Sequence, residues 1–201
     1  RAGVKKVIFL SSVKAHGDFP RNQAVDENAA DHHEDSYGIS KLKAEDQGFD
    51  LGSKYGSQFI ALRPPLIYGP GVKANFLRLL KLSHSGLPLP LRNIENRRSI
   101  CYVGNLADVI VNLIFDKRKD SDRFYVADAE PVSTKYMLTI MSQSMGSALR
   151  LLPMPQLIAD ALTGLPLVGA FAEKIIGNQA LDISKLRNYG PWNPLFSTEK
   201  G

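Results

Sequence analysis

Two short apolar runs on either side of one helical stretch constrain the fold of this chain most strongly. Residues 4–10 are mainly β-branched and apolar and end at a Ser-Ser pair, and residues 58–63 form a second, mainly apolar run that ends at a Pro-Pro pair. Each run predicts a short buried strand. Ser36 opens a helical stretch between them that reaches about residue 55. This order predicts two parallel strands joined by a right-handed crossover.

The remainder of the chain continues the alternation of helical and strand patterns. Capped starts and apolar residues at helical spacing predict helices at 74–83, 105–115, 133–145 and 182–189, and short apolar runs predict strands at 98–103 and 124–126. Alternating strands and helices indicate an α/β fold.

The charge of the chain is positive but dispersed. The 201 residues carry a formal net charge of +5, and the 25 basic residues are interleaved with 20 acidic ones. A nucleic-acid-binding protein would cluster its basic side chains on one face, so this distribution argues against that function. A diffuse positive field suits a small anionic substrate that bears phosphate.

Cysteine usage and the apolar segments bear on the compartment. Cys101 is the only cysteine, so an intramolecular disulfide is excluded and a reducing, cytoplasmic setting is expected. Its apolar neighbours predict an inert core thiol. We expect no signal peptide and no membrane insertion. The apolar stretch 151–174 contains three prolines and Asp160, which favour two short packed helices over a membrane span.

Tyr37 and Lys41 form the pattern with the most chemical content. A spacing of four residues places both side chains on one face of a helix. An ammonium beside a phenol favours the phenolate, so this tyrosine could serve as a general base or acid. A solvated helix face without a chemical role accounts for the same pair equally well.

Two further segments lie at the ends of the predicted strands. Ser11 and Ser12 follow the first strand directly, and the loop 64–71 follows the second. Ligands bind at the carboxyl ends of the strands in open α/β sheets. We therefore expect these segments and the Tyr37 helix to meet around one cleft.

Taken together, these residues resemble the extended short-chain dehydrogenase/reductases, specifically nucleotide-sugar epimerases and dehydratases of the UDP-glucose 4-epimerase type. The segment 9–17 is similar to the family's strand and serine segment, and residues 37–41 are similar to its Tyr-x-x-x-Lys. Residues 62–71 resemble the stretch that passes the nicotinamide, and residues 181–186 resemble a C-terminal segment near the nucleotide.

The resemblance implies the C-terminal part of a Rossmann-like, doubly wound parallel sheet with a smaller α/β substrate-binding region. Residues 1–63 would form the distal half of the NAD-binding domain and would carry the catalytic serine, tyrosine and lysine. Residues 64–201 would mainly form the nucleotide-sugar-binding region, with some segments that return to the sheet. The stretch 87–99 resembles bacterial enzymes of surface-polysaccharide biosynthesis.

Catalytic and cofactor roles follow from the same resemblance. Tyr37 would take the proton of the sugar 4-hydroxyl, Ser12 would hydrogen-bond that oxygen, and Lys41 would hold the nicotinamide ribose. The cofactor would be NAD, with NADP also open, and it would contact Ser11, Tyr37, Lys41 and Pro64.

Substrate contacts are implied at four positions. A UDP-sugar or similar nucleotide-sugar would contact Ser12, Asn75, Arg98 and Asp182. Arg98 suits the diphosphate, because a planar guanidinium pairs with phosphate oxygens in a fork geometry. The full-length enzyme is expected to form a homodimer, as family members often do.

Two departures from the family narrow this interpretation. No glycine-rich phosphate loop precedes the first predicted strand. We therefore expect a C-terminal fragment that binds NAD poorly, is inactive alone and exposes an open sheet edge. In addition, Val13-Lys14 stands where the family's 4,6-dehydratases carry an Asp-Glu pair. Dehydration is disfavoured without that carboxylate, which leaves C4 epimerisation or simple 4-keto reduction, and we expect the epimerisation.

Two other functions fit the same residues. An NAD(P)-dependent 4-reductase of a UDP-4-keto-deoxysugar would use the same serine, tyrosine and lysine. A non-catalytic nucleotide-sugar-binding or NAD-binding relative would not need this set, so its presence argues against that function. We expect no metal site, because the adjacent His32 and His33 rarely chelate one ion together.

Overall fold

The computed structural model describes residues 3–17, 24–27, 35–155, 175–190 and 192–201. Helices separate most of the strands along these ranges. The strands are β1 (Lys6–Leu10), β2 (Gln58–Arg63), β3 (Leu66–Tyr68), β4 (Pro88–Leu89), β5 (Ile100–Tyr102), β6 (Asp122–Tyr125) and β7 (Arg150–Leu151). The helices are α1 (Ser36–Tyr55), α2 (Ala74–His84), α3 (Val103–Phe115), α4 (Thr134–Ser144) and α5 (Ser184–Tyr189), with a single 3-10 turn at Val13–His16.

The main sheet is parallel and has the order β1-β2-β6 in the described residues. Ile8 of β1 lies opposite Ile60 of β2, and Leu62 of β2 lies opposite Phe124 of β6. The prediction of two parallel strands on either side of helix α1 is therefore confirmed. The carboxyl ends of β1 and β2 lie at the same end of the sheet. Ser11 and Ser12 follow β1 there, and Pro64 follows β2.

β1 is the half-exposed edge of this sheet within the described ranges. It pairs with β2 only, and Val7 and Leu10 are 39% and 44% exposed. The prediction of a buried strand over residues 4–10 is wrong in both length and burial, because no described element covers the free edge of β1. β2, by contrast, is buried at every position, as its apolar run predicts.

Helix α1 has the bounds that the sequence predicts, because both ends carry clear capping signals. The Asp35 carboxylate accepts a hydrogen bond from the Tyr37 amide at 3.0 Å, which satisfies one of the free donors of the first turn. Gly56 ends the helix with a φ of 69°, a left-handed conformation that costs glycine little.

Two smaller parallel pairs lie outside the main sheet. β3 pairs with β5, and β4 pairs with β7. Helix α4 begins after Ser133, whose hydroxyl accepts from the Tyr136 amide at 3.0 Å, so the predicted cap is confirmed. One core cluster forms around β2, β6 and α3, and a second forms around β3, β5, α2 and α4.

Three predicted boundaries change in the structure. The strand at 98–103 shrinks to β5, because the amides of Arg98 and Ser99 donate to Val132 and Gln179 in single bridges. Helix α3 then begins at Val103, before the predicted start at residue 105. β6 covers residues 122–125 instead of 124–126, because Asp122 already lies opposite Ile60.

The remaining differences concern short elements and the C-terminal half. The 3-10 turn after β1 and the strand β3 inside the loop 64–71 were not predicted, because three or four residues carry too little periodicity. Helix α5 begins at Ser184 instead of residue 182. Leu151 belongs to β7, and most of the stretch 151–174 lies outside the described residues.

Candidate active site

The two serines after β1 occupy different environments. The Ser12 side chain is half-buried and caps the 3-10 turn, with its hydroxyl accepting from the Lys14 amide at 3.2 Å. Ser11 is 5% exposed, and its amide donates to the Leu62 carbonyl at 2.8 Å. The Val13 amide then donates to the Pro64 carbonyl at 3.0 Å. These backbone bonds fix Ser12 and Pro64 next to each other at the edge of the sheet.

Lys41 brings helix α1 to the same edge. Its ammonium donates to the Leu10 carbonyl at 3.2 Å and lies 5.1 Å from the centre of the Phe9 ring. The Tyr37 ring centre is 5.9 Å from the same nitrogen, and Tyr37 is 52% exposed. Tyr37 and Lys41 thus share one helix face, and this face meets the end of β1 directly before Ser11 and Ser12.

A buried charge network that sequence reasoning missed lies beneath these residues. Glu45 and Arg63 are both fully buried. The Glu45 carboxylate accepts from Arg63 Nε at 2.9 Å and from Arg63 Nη2 at 2.8 Å, and the Ser11 hydroxyl donates to the same carboxylate at 2.5 Å. A four-residue step from Lys41 to Glu45, and an arginine at the end of an otherwise apolar strand, were the signals available in the sequence.

Three predicted substrate-binding residues lie on other segments of the chain. Asn75 is exposed in the first turn of α2. The Arg98 guanidinium donates to the Gly177 carbonyl at 2.9 Å and to the Gln179 side chain at 3.2 Å. The Asp182 carboxylate accepts from the Ser184 amide at 2.8 Å. The hydrogen bonds and ion pairs found among the described residues do not join any of these three to Ser12, Tyr37 or Lys41.

The loop 64–71 is fixed by a second buried network. Asp128 is 3% exposed, and its carboxylate accepts from the Tyr68 hydroxyl at 2.7 Å and from the Asn105 amide group at 2.8 Å. Burial and the Asp128 carboxylate raise the pKa of the Tyr68 phenol well above its ordinary range. Tyr68 therefore acts as a neutral donor at physiological pH and stacks on Phe76 at 5.3 Å.

An apolar cavity of about 280 Å³ lies between α2 and α4. Tyr68, Phe76, Met137 and Met141 are among the residues that line it. None of the predicted catalytic, cofactor-binding or substrate-binding residues belongs to the lining, so the cavity is separate from the Ser12 and Lys41 edge.

Other sequence predictions have simple outcomes. Cys101 is fully buried, and burial raises the pKa of its thiol, as expected for an inert core cysteine. Among the described residues no group of three or more acidic, histidine or cysteine side chains could hold a metal ion, and His32 and His33 lie outside those residues. No helix in the described ranges is long and apolar enough to cross a membrane.

The residues at the edge of the sheet fit the nicotinamide half of a dinucleotide. An ammonium has three N–H donors, and the Leu10 carbonyl is the one hydrogen-bond acceptor found for Lys41 in the described part of the chain. Two donors can therefore face a ribose. The half-buried Ser12 side chain lies on the adjoining segment.

Comparison with known proteins supports the fold and the family. The sequence model described as "NAD dependent epimerase/dehydratase family" matches residues 1–127. The UDP-glucose 4-epimerase of Vibrio cholerae is 32% identical over 202 residues, which cover 100% of this chain and 62% of that protein. The chain thus spans about three fifths of the length of this relative.

Solved structures show the same architecture. The UDP-glucuronic acid 4-epimerase of Bacillus cereus, in complex with NAD, superposes with a TM-score of 0.76 at 17% identity, over 100% of this chain and 60% of that one. The UDP-glucose 4-epimerase of Thermus thermophilus, also in complex with NAD, gives 0.72 at 21% identity, over 99% and 62%. The α/β fold is therefore the Rossmann-like fold of these enzymes.

Proposed function

Because the chain belongs to the NAD-dependent epimerase/dehydratase family, we propose that it is the catalytic and substrate-binding part of an NAD-dependent nucleotide-sugar C4 epimerase. The expected substrate is a UDP-sugar. The Vibrio cholerae relative supports this choice, since it is a UDP-glucose 4-epimerase of which the chain covers 62%.

The observation that carries the proposal is the meeting of α1 with the end of β1. The hydrogen bond from Lys41 to the Leu10 carbonyl supports it, because this bond joins the Tyr37 and Lys41 face of the helix to the strand end that precedes Ser12. In the proposed site, three side chains suited to proton transfer come from two segments that lie well apart in the sequence. A solvated helix face with no chemical role would not need a lysine tied to the strand that ends in Ser11 and Ser12.

The residues support the following proton chemistry. Tyr37, as the phenolate, takes the proton of the sugar 4-hydroxyl, and Ser12 hydrogen-bonds the same oxygen. The Lys41 ammonium favours the phenolate electrostatically and directs its remaining donors at the nicotinamide ribose. NAD, when bound, supplies the acceptor for the hydride that leaves C4 and the donor that returns it. Ser11 and Pro64 are proposed to line the nicotinamide.

Substrate contacts away from C4 are proposed for Asn75, Arg98 and Asp182. Arg98 would have to exchange part of its hydrogen bonding to Gly177 and Gln179 for diphosphate oxygens. The full-length protein is proposed to be a homodimer in the cytoplasm. Sedimentation of the full-length protein would test the dimer.

An assay of cofactor use separates the epimerase from the two alternatives. The full-length protein is incubated with UDP-glucose or UDP-galactose without added cofactor, and both sugars are followed by chromatography. We expect each to convert to the same mixture, because an epimerase returns the hydride that it removes. Stoichiometric consumption of reduced cofactor with a 4-keto-sugar would show a 4-reductase. Binding of the nucleotide-sugar without any turnover would show a non-catalytic relative.

A further inference from the structure

The buried Glu45 carboxylate joins three segments that each carry a predicted catalytic or cofactor-binding residue. It lies on α1 one turn after Lys41, it pairs with Arg63 directly before Pro64, and it accepts from Ser11 directly before Ser12. We infer that Ser11, Glu45 and Arg63 form a positioning network that fixes the proton-transfer residues relative to one another. This inference rests on the proposed function.

Burial of the network costs folding free energy, because it removes two charged groups from water. Glu45 and Arg63 have no exposed side-chain area, and taking a carboxylate and a guanidinium out of water is expensive. A buried ion pair of this kind is often no more stabilising than apolar side chains of similar volume. Stability alone therefore does not explain why two charges lie inside this sheet edge, whereas a need for a fixed geometry does.

The geometry suits positioning because each contact has a defined direction. Two guanidinium nitrogens of Arg63 donate hydrogen bonds to the two carboxylate oxygens of Glu45. This bidentate geometry fixes both the distance and the angle between the two side chains. The Ser11 hydroxyl binds Oε1 of the same carboxylate. Arg123, at 3.8 Å from Oε2, adds positive charge from β6. Helix α1 cannot slide along the strands without breaking these bonds.

Loss of this network is expected to lower kcat with little change in KM. A displacement of about 1 Å at a reacting group can cost about 100-fold in rate, whereas the proposed substrate contacts at Asn75 and Arg98 stay in place. The network touches neither the substrate nor the cofactor through Glu45 and Arg63, so these two residues act through Lys41, Ser12 and Pro64.

The first test uses the double variant Glu45→Leu with Arg63→Met in the full-length protein. It removes both charges together, so no unpaired charge remains in the core. We expect a folded protein whose kcat is about 100-fold lower, with a KM for the UDP-sugar within about threefold of wild type. A stably folded double variant with wild-type kcat would overturn the inference, because packing alone would then suffice.

The second test uses Ser11→Ala, which removes one hydroxyl and keeps the ion pair. This variant should fold even where the double variant does not, and we expect a kcat about tenfold below wild type. Wild-type kcat in Ser11→Ala would also overturn the inference. Val109→Ala is the matched control, because it opens a buried site on α3, away from the network, and should lower stability without a change in kcat.

A readout that needs no activity separates this inference from the proposed function. Lys41 Nζ lies 5.1 Å from the Phe9 ring centre, so the ring should shift the NMR signals of the Lys41 ε-methylene. We expect this shift to be lost in Ser11→Ala and in the double variant but retained in Val109→Ala. If the shift persists in both network variants, the inference fails. If the wild-type protein does not interconvert C4 epimers, the proposed function fails instead.

Discussion

Lys41 is the residue on which the candidate site depends, because its ammonium joins helix α1 to the last carbonyl of β1. That bond to Leu10 brings the Tyr37 face of the helix to Ser12. The four-residue spacing in the sequence predicts the shared face. It does not predict the bond, which arises from the packing of α1 on β2.

A Tyr37→Phe substitution removes the phenol and keeps the ring. In the full-length protein we expect kcat to fall by about 10²- to 10⁴-fold, because the general base is lost. Nucleotide-sugar binding, measured by calorimetry, should stay nearly unchanged. Tyr55→Phe is a matched control on the same helix, with the same 52% exposure. Lost binding together with retained turnover would contradict the role of Tyr37.

Glu27 gives a pH-dependent contribution to stability. Burial raises the pKa of its carboxyl, against the lowering effect of the hydrogen bond from the Tyr125 amide at 2.7 Å. A raised pKa means that the folded state favours the protonated form. The carboxylate therefore costs stability once the pH rises through that pKa.

A Glu27→Gln substitution keeps an acceptor for the Tyr125 amide and removes the titration. We expect the free energy of unfolding of wild type, relative to that of the variant, to fall as the pH rises above the ordinary pKa of a glutamate and through the raised pKa of Glu27. Urea denaturation followed by the fluorescence of the buried Trp192 would measure it. If the difference in the free energy of unfolding between wild type and variant is constant or grows with pH, the pKa of Glu27 is not raised.

At the scale of elements, α1 packs directly against β2 because glycines face the strand. A Cβ built at Gly48 would come within 2.1 Å of the Phe59 ring, and one at Gly52 within 2.8 Å of the Ser57 carbonyl. Phe59 is itself 7% exposed and stacks with Phe9 at 6.0 Å. The close approach brings Lys41 and Glu45 within reach of the strand ends.

A Gly48→Ala substitution tests this packing. Alanine favours a helix over glycine by about 1 kcal/mol, yet we expect the free energy of unfolding to fall by about 1–2 kcal/mol because the Phe59 ring must move. Gln47→Ala, at an exposed neighbouring position, should stay within about 0.5 kcal/mol of wild type. A more stable Gly48→Ala protein would contradict the close packing.

The sequence predicts the long elements well and the short ones poorly, for physical reasons. Helix α1 has twenty residues with caps at both ends, and β2 is a continuous apolar run, so local patterns suffice for both. β3 and β5 have three residues each, and their ends are set by contacts with distant segments such as Gln179 and Asp128.

The candidate site also contains some residues that the sequence predicts and others that it does not. Ser12, Tyr37 and Lys41 could be predicted because their residue types and order carry the chemistry. Glu45 could not, because a charged residue on a helix is usually solvated, and only the tertiary contact with Arg63 shows that it is buried. The hydrogen bonds from Arg98 to Gly177 and Gln179 could not be predicted either, because these partners are distant in the sequence.

At the scale of the whole molecule, the open edge of β1 dominates the expected behaviour of this 201-residue chain. Among the residues that the structure describes, β1 pairs with β2 only, and Val4, Val7 and Leu10 are 39–53% exposed. An unpaired strand edge favours association. We expect the isolated chain to self-associate in sedimentation experiments as its concentration rises. Val7→Lys should reduce this association, since charged side chains protect strand edges. A monomer at all concentrations would contradict the prediction.

The chain spans 62% of the length of the Vibrio cholerae epimerase, so the tests of catalysis use the full-length protein.

The most direct measurement follows deuterium placed at C4 of the UDP-sugar. The Ser12, Tyr37 and Lys41 site is proposed to move the hydroxyl proton while the C4 hydrogen leaves and returns as hydride. We predict that the full-length protein forms the C4 epimer with the deuterium retained at C4, and that Tyr37→Phe forms almost none. Loss of the deuterium to solvent, or epimer formation at the wild-type rate in Tyr37→Phe, would contradict a C4 epimerase that works through these residues.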